Sequence, residues 1–218
     1  MEPTLARVLN TVAHDVRTPL AVCQGYVRLL IDGRLKSAED QGLALQRTKD
    51  ALGALSALCV ELERVAVAAE PPATTAGERI AAVDLLNALK TALAPMGPEW
   101  DGTPAGDLPL GRAGVPDLVR ALTLIATAAF EDAPGTARVV QASAADAALT
   151  LRVGGEAAVA ALPPEPDDPQ TAVLTGARGG PGLSLIWALF ILRGHRIRTW
   201  QHAESRGSVG VRIPMVTA

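Results

Sequence analysis

Along the first seventy residues, hydrophobic side chains recur every three or four positions. Leu5, Leu9, Val12, Val16, Leu20, Cys23, Val27 and Leu30 form one apolar seam, the pattern of a long amphipathic helix. The stretch IDGRLKSAED interrupts it with a glycine, and Ser37 followed by Glu39 and Asp40 reads as a new helix start. A second seam then runs through Leu45, Thr48, Leu52, Leu55, Cys59, Leu62 and Ala66. Two such helices joined by a short turn make an antiparallel hairpin. Two facing stripes leave much of each seam wet, and a second copy covers it as a four-helix bundle, so a homodimer is expected. Cys23 and Cys59 both lie on the seams and are expected to be buried free thiols.

The prolines of AAEPPATTAGE end this rhythm. The expected division is a hairpin over residues 1–69, a linker over 70–78 and a second domain over 79–218. In the second domain VDLLNALKTALAPM and VPDLVRALTLIATAAFEDA read as helices. ARVVQASA and AALTLRVGG read as paired strands turning at Ala145–Asp146. A glycine turn then enters the helix GLSLIWALFILRG, and HRIRTWQHAESRGSVGVRIPM reads as a last pair of strands. The fold class is α+β, with helices set against a mixed, mainly antiparallel sheet. EAAVAALPPEPDDPQTAVLTGARGG, with four prolines, reads as a long loop.

Composition narrows the function classes. Aromatic residues make up 3% of the chain, so the cores must be largely aliphatic. A net charge of −3 over 218 residues argues against nucleic acid as partner. The longest apolar run, Leu185–Leu192, is far below the roughly 20 residues of a membrane span. The N-terminus has no signal-peptide pattern, and no Cys/His cluster has metal-ligand spacing. A reduced, cytoplasmic protein without a metal site is expected. Arg193, His195, Arg196 and Arg198 are basic, which alternating positions on a surface strand would explain.

His14 is the candidate for chemistry. At 100° per residue it lies about 200° from both Val12 and Val16, on the face away from the seam. Thr18, Ala21 and Gly25 continue that face, so the ring stands beside small side chains where another protein can approach. An imidazole, ordinarily titrating near roughly 6.5, is largely neutral at pH 7 and offers one nitrogen lone pair to phosphorus. Asp15 is available to hold the other ring N–H or act as a base, although adjacent helix positions do not share a face. Arg17 could offset the charge of a phosphorylated ring, and Thr18 could position a water. Pro19 removes the amide that would bond the Asp15 carbonyl and loosens that turn.

HDVRTPL, residues 14–20, resembles the phosphoacceptor box of bacterial two-component histidine kinases, H-[DE]-x-R-T-P-L, at every position. The resemblance implies a dimerisation and phosphotransfer domain in which His14 accepts phosphate, Asp15 is the adjacent acid and Thr18 is associated with phosphatase activity. The second half is similar in layout to the family's ATP-binding domain, but its motifs depart. Ala128 in LTLIATAA stands where the family's Mg²⁺-holding asparagine would be. Gly155, Ala157 and Val159 stand where its D-x-G-x-G box would be. GPGLSL, with Gly180 and Gly182, keeps part of the last glycine box, and such glycines let backbone amides approach a phosphate at a helix start.

Without the asparagine and aspartate, transfer from ATP loses its electrostatic clamp. With the box beginning only thirteen residues in, and no sensor or span before it, the expected protein is a histidine phosphotransferase with a degenerate ATPase-like domain. It would exchange phosphate with response-regulator receiver domains, and an upstream hybrid histidine kinase is a further candidate partner. Two alternatives stand beside it. One is a kinase that uses ATP in an Mg²⁺-dependent way, the nucleotide held through Arg178 and the amides of Gly180–Gly182. The other is a non-catalytic adaptor for a receiver or a kinase.

Overall fold

The computed structural model describes residues 5–70, 79–104, 106–109, 114–165, 182–201 and 207–215. The chain divides into two compact units, residues 4–67 and residues 68–218. The proposed linker lies almost wholly outside the described residues. Among those described, no helix is long and apolar enough to cross a membrane.

The first unit is a helical hairpin of α1 (Leu5–Ile31) and α2 (Ala38–Ala69). Both ends of the connecting turn are chemically specified. Gly33, at φ +63°, takes the left-handed conformation that costs other residues energy. Its N–H bonds the Leu30 carbonyl while Arg34 N–H bonds that of Leu29, which satisfies two orphan carbonyls of α1. Ser37 Oγ accepts from Asp40 N–H at 3.0 Å and donates to the Asp40 carboxylate at 2.6 Å, capping the start of α2. Ser37→Ala is expected to cost about 1 kcal/mol, read as a lower melting temperature.

Within one chain the hairpin covers only part of its apolar surface. On α1, Val8, Val12, Val16, Pro19 and Leu30 are half-buried and Cys23 is buried, whereas Leu9, Leu20 and Val27 of the predicted seam are exposed in the single chain. On α2 the contact stripe differs from expectation. Ala44, Ala51 and Val65 are buried and Thr48, Leu55, Leu58 and Leu62 half-buried, whereas Leu45, Leu52 and Cys59 are exposed. Small residues at 44 and 51 admit the facing helix, which turns the leucines one position on into solvent. The expectation of two buried thiols therefore holds for Cys23, whose Sγ lies 3.7 Å from the Thr48 carbonyl, and fails for Cys59 in the single chain.

The second unit is an α/β sandwich. Its main sheet has the order β2 (Glu99–Asp101), β4 (Arg138–Ala145), β5 (Ala148–Gly155), β7 (Ser208–Pro214), β6 (Arg198–Trp200). Among the described strands of this sheet, only β2 and β4 pair in parallel. A two-stranded ribbon pairs β1 (Arg79–Ala81) with β3 (Asp107–Pro109). Helices α3 (Ala82–Leu93), α4 (Gly114–Glu131) and α6 (Gly182–Gly194) supply the other layer. The core is mostly aliphatic: Leu85, Leu89 and Leu93 of α3 and Leu118 and Ile125 of α4 are fully buried, as are Val140, Leu149, Leu151 and Ile213 of the sheet. Phe130, Trp187 and Trp200 are buried too, while Tyr26, Trp100 and Phe190 are half-buried.

The β4–β5 turn is Asp146–Ala147, one residue later than expected, because Ala145 pairs with Ala148. Both turn residues have positive φ, the twist that suits a two-residue hairpin. The proline-rich loop opens as a helix, α5 (Glu156–Ala160), with Val159 fully buried. The chain is described up to Glu165; the rest of that segment lies outside the described residues. Arg193 is in the last turn of α6, His195 and Arg196 form the following turn, and of the four only Arg198 is on a strand, so strand alternation does not explain the basic cluster.

His195 is buried, and that burial pushes its pKa below 6.5, with the Asp117 carboxylate of α4 acting in the opposite direction. The unfolded chain therefore binds this proton more readily than the folded one, and stability is lost as pH falls below about 6.5. Melting temperature is expected to drop between about pH 7.5 and about pH 5.5, and by less in His195→Gln.

Candidate functional site

His14 sits on the tenth residue of α1, with its side chain 71% exposed. Val12 and Val16 are half-buried on the hairpin side, whereas Ala13, Arg17, Thr18, Ala21 and Gly25 are exposed. A Cβ built on Gly25 would meet nothing within 4 Å. The helix continues unbroken through Pro19, which is half-buried. Since proline has no N–H, the Asp15 carbonyl loses its helical donor within a turn of the histidine.

One point departs from expectation. Adjacent helix positions face different ways, yet His14 Nδ1 lies 3.1 Å from Asp15 Oδ1. Asp15 is at the edge of the buried face, 25% exposed, and its short side chain turns toward the ring. A carboxylate only accepts, so in the neutral imidazole this contact selects the tautomer with the proton on Nδ1 and the lone pair on Nε2. Thr18 and Arg17 stand on the same exposed side, one turn and just under one turn further on.

In the second unit, Ala128 is on the buried side of α4, 8% exposed. Gly155 is the residue before α5, at the end of β5. A Cβ there would overlap Thr136 Oγ1 and come within 2.9 Å of Ala133 Cβ. Ala157 and Val159 lie in α5. Gly182 is the first residue of α6, whereas Gly180 and Arg178 lie outside the described residues. Position 128 therefore offers a methyl group and position 155 a hydrogen, neither of which ligates a metal or reads a base edge.

Sequence reasoning missed a further polar group. Glu165, its side chain 9% exposed, reaches Arg198 at 2.7 Å and Arg212 at 3.3 Å on neighbouring strands. Trp200 Nε1 donates to the Pro163 carbonyl at 3.2 Å. The segment after α5 is thereby held on the sheet.

Residues 4–66 match the His Kinase A (phospho-acceptor) domain. That match spans the helical hairpin, with His14 and the residues around it, and does not extend into the second unit. The histidine kinase AdeS of Acinetobacter baumannii is similar in fold, at 17% identity and a TM-score of 0.54, over 94% of this chain and 98% of that one. Full-length ShkA, solved in complex with AMPPNP, is similar at 20% identity and a TM-score of 0.51. That match covers 96% of this chain and 46% of ShkA. No curated protein matches the sequence.

Proposed function

We propose that the chain is a dimeric histidine phosphotransfer protein, exchanging a phosphoryl group between His14 and the aspartates of response-regulator receiver domains, with little or no use of ATP. The observation that carries this reading is the exposed His14 ring, its Nδ1 held by Asp15, in a chain that lacks the polar groups at 128 and 155. In the forward step the Nε2 lone pair attacks the phosphorus of a receiver's aspartyl phosphate. The Nε2–P bond forms, the P–O bond to that aspartate breaks, and the aspartate leaves as a carboxylate. The ring becomes cationic, and Asp15 takes up that charge through the Nδ1–H it already holds. The reverse step returns the phosphoryl group to another receiver.

Arg17 and Thr18 flank the ring, the first to balance phosphate charge and the second to orient a hydrolytic water. The apolar residues left exposed on both helices, Leu9, Leu20, Leu45 and Leu52 among them, support the dimeric bundle. The expected compartment is the cytoplasm, where receivers are met.

The test is transfer of label from a phosphorylated receiver domain to the intact chain, run beside calorimetric titration with Mg·ATP. The expected result is an acid-labile label on the chain within minutes and no nucleotide binding at about millimolar concentration. Micromolar nucleotide affinity with labelling from ATP alone would replace this reading with the kinase.

A further inference from the structure

The main sheet has a second face, turned away from the helices. Strand pairing sets Asp101, Gln141, Arg152, Gly210 and Trp200 in one row across all five strands. Ser143, Thr150, Arg212 and Arg198 form the next row on the same face. Alternation explains why they share it, since the intervening Val140, Leu149, Leu151, Val153 and Val211 are buried on the helix side. A Cβ at Gly210 would overlap the Trp200 indole, so the ring lies over that glycine and closes one end of the row.

At this end the face already binds a carboxylate, its own: Glu165 is seated on Arg198 and Arg212. Beside it is a cavity of about 380 Å³, walled by Pro164, Glu165 and Trp200 and floored by the polar rows. Arg152 is on that floor, half-buried, and makes no ion pair or side-chain hydrogen bond among the described residues. The Ser143 and Thr150 hydroxyls stand opposite each other on paired strands, and Asp101 is two strands from Arg152, on the order of 10 Å.

From this juxtaposition we infer that the outer sheet face is a binding site for a small amino-bearing acid. A carboxylate or phosphate rests on Arg152 and the Ser143–Thr150 hydroxyls, and the amino group on Asp101. A guanidinium fork fits either anion bidentately, and the volume suits a molecule rather than a protein surface. Among the described residues the floor has one open cation, Arg152, and one open acid, Asp101, so an anion without a donor end leaves Asp101 unanswered. The site is independent of His14 and of the phosphotransfer reading.

The test is calorimetric titration of the full chain with L-glutamate, O-phosphoethanolamine and inorganic phosphate. An amino-bearing probe is expected to saturate with Kd at or below about 1 mM and to bind better than inorganic phosphate. Preference for glutamate assigns the carboxylate as the anion, and preference for O-phosphoethanolamine the phosphate. Arg152→Ala should weaken binding at least about tenfold, Arg152→Lys by less, and Asp101→Asn should erase the advantage over inorganic phosphate. Arg196→Ala, an exposed cation off this face, should change nothing. Because Arg152 holds no partner among the described residues, its variants should melt as the parent does, and amide shifts at Gln141 and Thr150 give a second readout. The inference is overturned if no probe saturates below about 10 mM, if folded Arg152→Ala binds like the parent, or if Arg196→Ala loses as much.

Discussion

His14→Gln is expected to abolish labelling of the chain by a phosphorylated receiver domain, a loss on the order of a thousandfold or more, as when an enzyme loses its nucleophile. Glutamine keeps the size and polarity of the position, but its amide nitrogen lone pair is delocalised into the carbonyl and is not available to form the N–P bond. The same change should leave melting within about 0.5 kcal/mol, because the ring is solvent-exposed and its one side-chain hydrogen bond among the described residues is with Asp15. That separation of effects makes the experiment informative. Undiminished labelling of a folded His14→Gln protein would move the phosphoacceptor to another residue, and with it the proposed function.

The hairpin was legible because helical periodicity is a strong signal over thirty residues, and because Gly33 and Ser37 carry their own stop and start chemistry. What could not be read was which part of a wide apolar arc faces the partner helix. Leu45 and Ala44 differ by 100° and both are apolar; the choice fell to the smaller residue because helix axes approach over alanines. The box around His14 was plain in the letters, but the His14–Asp15 contact depends on a side-chain rotamer that spacing does not reveal.

In the second unit the long helices and the β4–β5 hairpin followed their periods. The strands β1, β2 and β3, of three residues each, are too short to show one. Glu165 was hidden for a different reason. Its partners lie 33 and 47 residues away, and one of three acids among prolines looks like any loop residue until the sheet brings two arginines beneath it.

Restoring the carboxylate that the family's nucleotide box carries should not restore nucleotide binding. Gly155→Asp is expected to leave Mg·ATP affinity undetectable and to lower stability by about 2 kcal/mol, read by chemical denaturation. Two effects oppose each other. Position 155 precedes α5 with φ −69° and ψ 143°, the conformation of a helix N-cap, where aspartate is favourable by about 1 kcal/mol. Against this, the new Cβ overlaps Thr136 Oγ1 and crowds Ala133 Cβ. Thr136 is exposed and its hydroxyl can rotate, at the expense of its 2.9 Å bond to the Ala133 carbonyl; the alanine methyl has no such freedom. Overpacking of this kind costs about 1–3 kcal/mol, and a carboxylate at a buried position adds a desolvation penalty, so the steric side prevails. Even with the acid in place, Ala128 offers no oxygen to a metal and Val159 stays buried in the core where the family's box has a glycine. A Gly155→Asp protein as stable as the parent that bound Mg·ATP would show that a single lost side chain, rather than a rebuilt strand end, separates this domain from a working kinase.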